Sequence, residues 1–156
     1  MYINYNDLCP APMSDFLEYM LSVKGRSDKT VSEYFLDLRT FYRFLVIRYK
    51  LSSQVDVFEE IDINLVTLDT LKKVNIMDLH SFIAFIDRER NNTNRTKARK
   101  IACLRSFFKY LYSIVKLIPV NPAIDSSNVK ATGRRLFFLG VSKSIAGFTG
   151  ISFTIE

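Results

Sequence analysis

The run TVSEYFLDLRTFYRFLVIR, Thr30 to Arg48, decides the fold. Val31, Tyr34, Phe35, Leu38, Phe41, Tyr42, Leu45 and Val46 recur at i, i+3, i+4 and i+7. That is the period of a helix that buries one face, sustained here for about five turns. Glu33, Asp37, Arg39, Arg43 and Arg48 fall on the opposite side and are expected in solvent. The helix should begin between Ser27 and Thr30, where Thr30 and Glu33 have the spacing of a capping box.

Working outward from this helix, the pattern repeats. On the N-terminal side Phe16, Leu17, Met20 and Leu21 form a shorter stripe, with Ser14 as its expected cap and Gly25 as a left-handed terminator. On the C-terminal side Leu51 to Asn75 mixes acids and aliphatics without a period, which predicts a connector with one or two helical turns over Thr67 to Lys73. A third helix follows, with Asn75 as cap, Asp78 near its positive end, and Ile76, Leu79, Phe82, Ile83 and Ile86 inward. Asn91 to Asn94 should break it. A fourth helix turns Ile101, Leu104, Phe107, Phe108, Leu111, Tyr112 and Val115 to the core, and Pro119 with Pro122 stops it. The expected fold class is all-α, a compact four-helix bundle.

Composition agrees. The chain has 156 residues, 48% of them hydrophobic, with 13 Phe and 8 Tyr but only 5 Gly and 4 Pro, which suits one cored helical domain. Cys9 and Cys103 lie outside any metal-ligand spacing and read as free thiols of a reducing compartment, so a cytoplasmic protein is expected. No apolar run reaches the ~18 to 20 residues of a membrane span, and the N-terminus lacks a secretory pattern.

Charge is the functional signal. Arg88 to Arg105 holds seven basic residues and one acid, Glu89, a local excess of +6 that equals the net charge of the whole chain. A clustered basic surface neutralises phosphates and releases their counterions, which puts nucleic acid first among partners. The other reading of such a run is a solvated helix face.

Two blocks then resemble a known family. Thr30-Val31, Tyr34, Asp37-Leu38-Arg39, Phe41 and Phe44-Leu45 form the first. Thr96, Arg99-Lys100-Ile101, Leu104-Arg105-Ser106-Phe107-Phe108, Tyr110-Leu111, Pro119 and Asn121-Pro122-Ala123 form the second. Together they resemble the N-terminal, SAM-like core-binding domain of tyrosine recombinases, the phage-integrase and Xer-type family. The resemblance covers Ser14 to Ser126, and the connector is longer than in compact members. It implies a helical arm that packs on double-stranded DNA opposite a catalytic domain. The residues it marks for DNA binding are Lys24, Arg26, Ser27, Lys29, Thr30, Arg95, Thr96, Lys97, Arg99, Lys100 and Arg105. General physics favours the same places, since helix starts present free amides to phosphates and Arg can grip guanine in two places.

The departure from the family concerns catalysis. Its members use two Arg, a Lys, His-containing motifs and a nucleophilic Tyr, whereas the sole histidine here, His80, is followed by Ser81-Phe82-Ile83 and gives no His-x-x-Arg. Tyr34, Tyr42 and Tyr112 sit on apolar stripes and read as core or rim. Glu59, Glu60 and Asp62 read as a solvated loop. No enzymatic activity, cofactor, metal or small-molecule substrate is therefore expected of this chain; the expected partners are duplex DNA and other recombinase protomers. The alternative is a non-enzymatic helical interaction module that offers its basic face to an acidic protein.

The expected division is 1–13 as an N-terminal extension, 14–126 as the core-binding domain and 127–156 as a tail foreign to the family. From Ser126 on there are four basic residues, one acid and four of the five glycines, with no helical or strand period. A poorly ordered tail is expected, of the kind a shifted or truncated reading frame would produce; a recombinase-like catalytic frame in the downstream nucleotide sequence is the corresponding expectation.

Overall fold

Hydroxyl, proline and asparagine residues set where the helices start in the computed structural model, which describes residues 3–53, 57–88 and 93–123. Helix α1 (Ala11–Ser22) follows Pro10, whose fixed backbone leads into the first turn. Ser14 is thus not the cap: it lies one turn inside, buried, and donates to the Ala11 carbonyl at 3.2 Å. Gly25 closes the α1 end at φ +59°, a conformation that costs glycine little. Helix α2 (Asp28–Arg48) is capped by Ser27, whose Oγ accepts from the Thr30 amide at 3.3 Å. The capping box at Thr30 and Glu33 does not form, because the start lies one turn earlier and Glu33 turns toward another helix.

The long stripe of α2 is as expected, with six of its eight residues buried and Tyr34 and Phe35 half-buried against them. Asp37 departs from its expected solvent face: it is 2% exposed. The reason is electrostatic, and the candidate site is built around it.

The connector contributes more than a link. Two 3-10 turns, Phe58–Glu60 and Ile63–Leu65, precede helix α3 (Leu68–Lys73), which Thr67 caps. Phe58, Ile61, Ile63, Val66, Leu71 and Val74 are all buried. Turns of three residues keep no phase between them, so this core layer leaves no period in the sequence.

Helix α4 (Ile76–Arg88) starts as expected: Asn75 Oδ1 accepts from the Met77 amide at 2.9 Å, and Asp78 Oδ2 accepts from the Asn75 amide at 3.0 Å. Asp78 is buried and also receives Arg48 Nε at 2.9 Å and the Tyr49 hydroxyl at 2.7 Å, so the end of α2 is tied to the start of α4. The Asn91 to Asn94 break falls partly outside the described residues; Asn94 is the first residue of helix α5 (Asn94–Lys109), capped by Thr93. A π-helical turn, Tyr110–Ile114, continues it. The wider turn shifts the phase of the stripe. Tyr110 and Leu111 are consequently buried, while Tyr112 and Val115, both expected inside, are exposed.

Aromatic rings join these elements. Phe58 meets Phe85, Phe85 meets Phe44, and Phe82 lies 5.0 Å from Phe41. Phe41 continues to Phe108, Phe108 to Phe107, Phe107 to Phe16 at 5.3 Å, and Phe16 to Tyr110. The sequence thus runs through α4, α2, α5 and α1. The architecture is all-α, four long helices and one short, with no strand among the described residues. No described helix is long and apolar enough to cross a membrane, and no cluster of metal-ligating side chains occurs among the described residues. The tail expected from residue 127 lies outside the described residues.

Candidate nucleic-acid interface

Helices α2 and α5 pack against each other, and Arg99 and Lys100 of the predicted site residues reach across their seam. At its centre is Asp37. Arg99 grips the Asp37 carboxylate with both edges of its fork, Nε to Oδ2 at 2.9 Å and Nη2 to Oδ1 at 3.0 Å. Lys100 Nζ reaches the same Oδ1 at 2.7 Å. Beyond them Arg99 Nη1 lies 3.1 Å from Glu33 Oε2. Two cations and two anions close a neutral cluster, and the Asp37 hydrogen bonds raise the Arg99 pKa further above its usual value. An isolated buried carboxylate would be costly, so Asp37 can lie on the inner side of α2 only because α5 supplies these donors.

The cluster engages several of the expected site residues. Lys100, marked for DNA, is 7% exposed and committed to Asp37. Arg99 has only its outer edge, where Glu33 sits, left to face a ligand. Lys97 is half-buried and pairs with Asp87 of α4, and Arg105 is half-buried. The basic run therefore does not form one cationic face. Three of its members neutralise carboxylates, and Arg95 and Arg88 stay exposed at the start of α5 and the end of α4.

The start of α2 keeps its exposed charge. Arg26, Ser27 and Lys29 are exposed, as is Lys24, whose ammonium lies 5.7 Å from the Tyr19 ring centroid. Burial raises the Tyr34 pKa, with the Arg26 charge a smaller opposing influence. The order along the seam follows from these contacts. Lys29 is one turn from Glu33, Glu33 meets Arg99, and Arg95 is one turn beyond Arg99. The exposed Asp28 is the other acid at this helix start.

Both helix starts carry the same hydroxyl pair. Ser27 Oγ and Thr30 Oγ1 are 2.9 Å apart, and Thr93 Oγ1 and Thr96 Oγ1 are 3.0 Å apart. One hydroxyl of each pair donates to the other, which leaves one hydrogen per pair for an outside acceptor. Thr93 was not among the expected site residues. Its signal was present, because Thr93-x-x-Thr96 repeats the spacing of Ser27-x-x-Thr30. Glu33 was likewise read only as a solvated or capping acid.

The seam joins a buried charge cluster to exposed cations near two helix starts; comparison with known proteins supplies the family. The chain is 38% identical over 135 residues to the tyrosine recombinase XerC of Caldanaerobacter subterraneus subsp. tengcongensis, covering 86% of this chain and 38% of that protein. It is 30% identical over 128 residues to a tyrosine recombinase of Pseudothermotoga lettingae, and 32% identical over 106 residues to the tyrosine recombinase XerD of Listeria monocytogenes serotype 4b. These cover 81% and 68% of this chain, and 38% and 28% of those proteins. The matches place the chain with the tyrosine recombinases, as their N-terminal domain. The chain matches less than two fifths of the length of these relatives. No family model matches the chain. No solved structure matches it either.

Proposed function

We propose that this chain binds duplex DNA along the α2–α5 seam, as the core-binding arm of a site-specific tyrosine recombinase that integrates or exchanges DNA segments. The observation that carries this reading is the XerC match over 86% of the chain. The seam supports it, since the exposed cations Lys24, Arg26, Lys29 and Arg95 accompany two helix starts whose hydroxyl pairs each hold a hydrogen to spare. Residues 14–126 supply the arm. Strand cleavage belongs to the catalytic residues of the family, for which this chain has no matching motif, so its part in recombination is to grip and position the site. Ser27, Thr30, Thr96 and the outer edge of Arg99 complete the contact set, with Lys97 and Arg105 at its border.

Fluorescence anisotropy with a labelled duplex tests the proposal. Four to six phosphate contacts give a slope of log affinity against log salt between about −4 and −5, with micromolar or weaker affinity for the arm alone. Absence of duplex binding at low salt sinks the reading. Binding to an acidic protein in its place, with a defined stoichiometry by light scattering, would establish an interaction module.

A further inference from the structure

We infer that Glu33 is a specificity-determining residue of this interface: a carboxylate that occupies Arg99 until a DNA phosphate displaces it. The inference rests on the DNA reading above. Three features of the seam carry it.

First, Arg99 is held from behind. Its Nε and Nη2 are bound by Asp37, which is 2% exposed, so the plane of the guanidinium is fixed and its Nη1 edge faces outward. A fork fixed in this way presents donors suited to a phosphate. Secondly, the outward edge is not vacant. Glu33 Oε2 is 3.1 Å from Nη1, and both side chains remain about one third exposed, at 38% and 33%. An ion pair of that exposure contributes little to stability and exchanges partners readily. Thirdly, the exchange conserves charge. Arg99 and Lys100 carry two positive charges against Asp37 and Glu33; a phosphate that takes the place of Glu33 leaves the cluster neutral, and the freed Glu33 has Lys29 one turn away on α2.

A phosphate approaching the seam therefore meets a charge of its own sign and has to displace it before it reaches Arg99. Loosely placed DNA, which cannot set a phosphate in line with the fixed fork, is penalised by Glu33. Well-placed DNA recovers that penalty through its contact with the fixed Nη1 edge. Glu33 acts by lowering affinity for every duplex and by lowering it most for those that fit poorly.

The test is a DNA titration of the full chain against Glu33→Gln, with Glu60→Gln as a remote exposed control for the same change in net charge. Two duplexes are used, one carrying the recombination site of the parent element and one of scrambled sequence, at several salt concentrations from about 50 mM. Glu33→Gln is expected to bind scrambled duplex about three- to tenfold more tightly, to gain less on the cognate duplex, and to steepen the salt slope by about one, because Arg99 is open to a phosphate from the outset. Its thermal midpoint should stay within about 3 °C of the parent. Equal affinity and slope for Glu33→Gln and Glu60→Gln overturn the inference while the DNA reading stands. No binding by the parent or either variant overturns the DNA reading and the inference together.

Discussion

Asp37 Oδ1 on α2 and Lys100 Nζ on α5 lie 2.7 Å apart, both withdrawn from solvent, and this pair fixes how the two helices of the seam meet. Removing one partner leaves the other charged, buried and poorly matched. Asp37→Asn is expected to cost about 3–5 kcal/mol in urea unfolding, since Lys100 and Arg99 both lose their anion. Replacing the pair together, Asp37→Leu with Lys100→Met, should recover at least half of that loss. A cost below about 1 kcal/mol for Asp37→Asn would show that the cluster is not closed in solution.

The cations of the seam separate by role. Arg26→Ala, Lys29→Ala and Arg95→Ala each remove an exposed charge, so each should lower the salt slope of DNA binding by about one with the unfolding midpoint unchanged. Lys100→Met should do the reverse, lowering stability and leaving the slope alone. A reduced slope for Lys100→Met would return that residue to the DNA-contacting set.

Two tyrosines give opposite outcomes on losing a hydroxyl. The Tyr42 hydroxyl is fully buried and finds no hydrogen-bond partner among the described residues. Tyr42→Phe removes an uncompensated polar group, and its stability should be unchanged or higher by about 1 kcal/mol. The Tyr49 hydroxyl donates to buried Asp78, so Tyr49→Phe should lower stability by about 1–2 kcal/mol. Chemical denaturation of the two variants side by side reads the contrast.

Stability should fall at alkaline pH. Burial pushes the Cys9 thiol from its ordinary value of 9.0 up to about 12, and the buried Cys103 thiol rises as well. A raised folded-state pKa favours the protonated thiol in the fold, so the contribution is intact below pH 9 and is lost as pH climbs from 9 toward 12. Unfolding free energies at pH 8, 9 and 10 should decline over the last step, and the Cys9→Ala/Cys103→Ala double variant should decline less. At pH 8 neither thiol should react with a disulfide reagent until urea is added, because both are buried and protonated.

The helices were legible because period and capping chemistry are local. The α2 stripe, the Asn75 cap and the Gly25 turn each depend on residues within about two turns of one another. Three kinds of feature were not local. The connector buries Phe58 and Val66 through 3-10 turns that carry no phase from one to the next. The π-helical turn re-aims Tyr112 and Val115 by a rotation that composition does not announce. Asp37 is inside because of donors 62 and 63 residues away, and no window centred on α2 contains them. For the site, the starts of α2 and α5 read as charged in the sequence, but a count of cations cannot tell Arg95, which is exposed, from Lys100, which a carboxylate already holds.

The chain of touching rings from Phe58 to Tyr110 sets a mechanical condition on whatever the seam grips. Apart from Phe107 and Phe108, neighbours on α5, each ring is wedged against one from another element, so Lys29 and Arg95 ride on a packed frame. On the DNA reading such a frame would leave the double helix, not the protein, to do the bending.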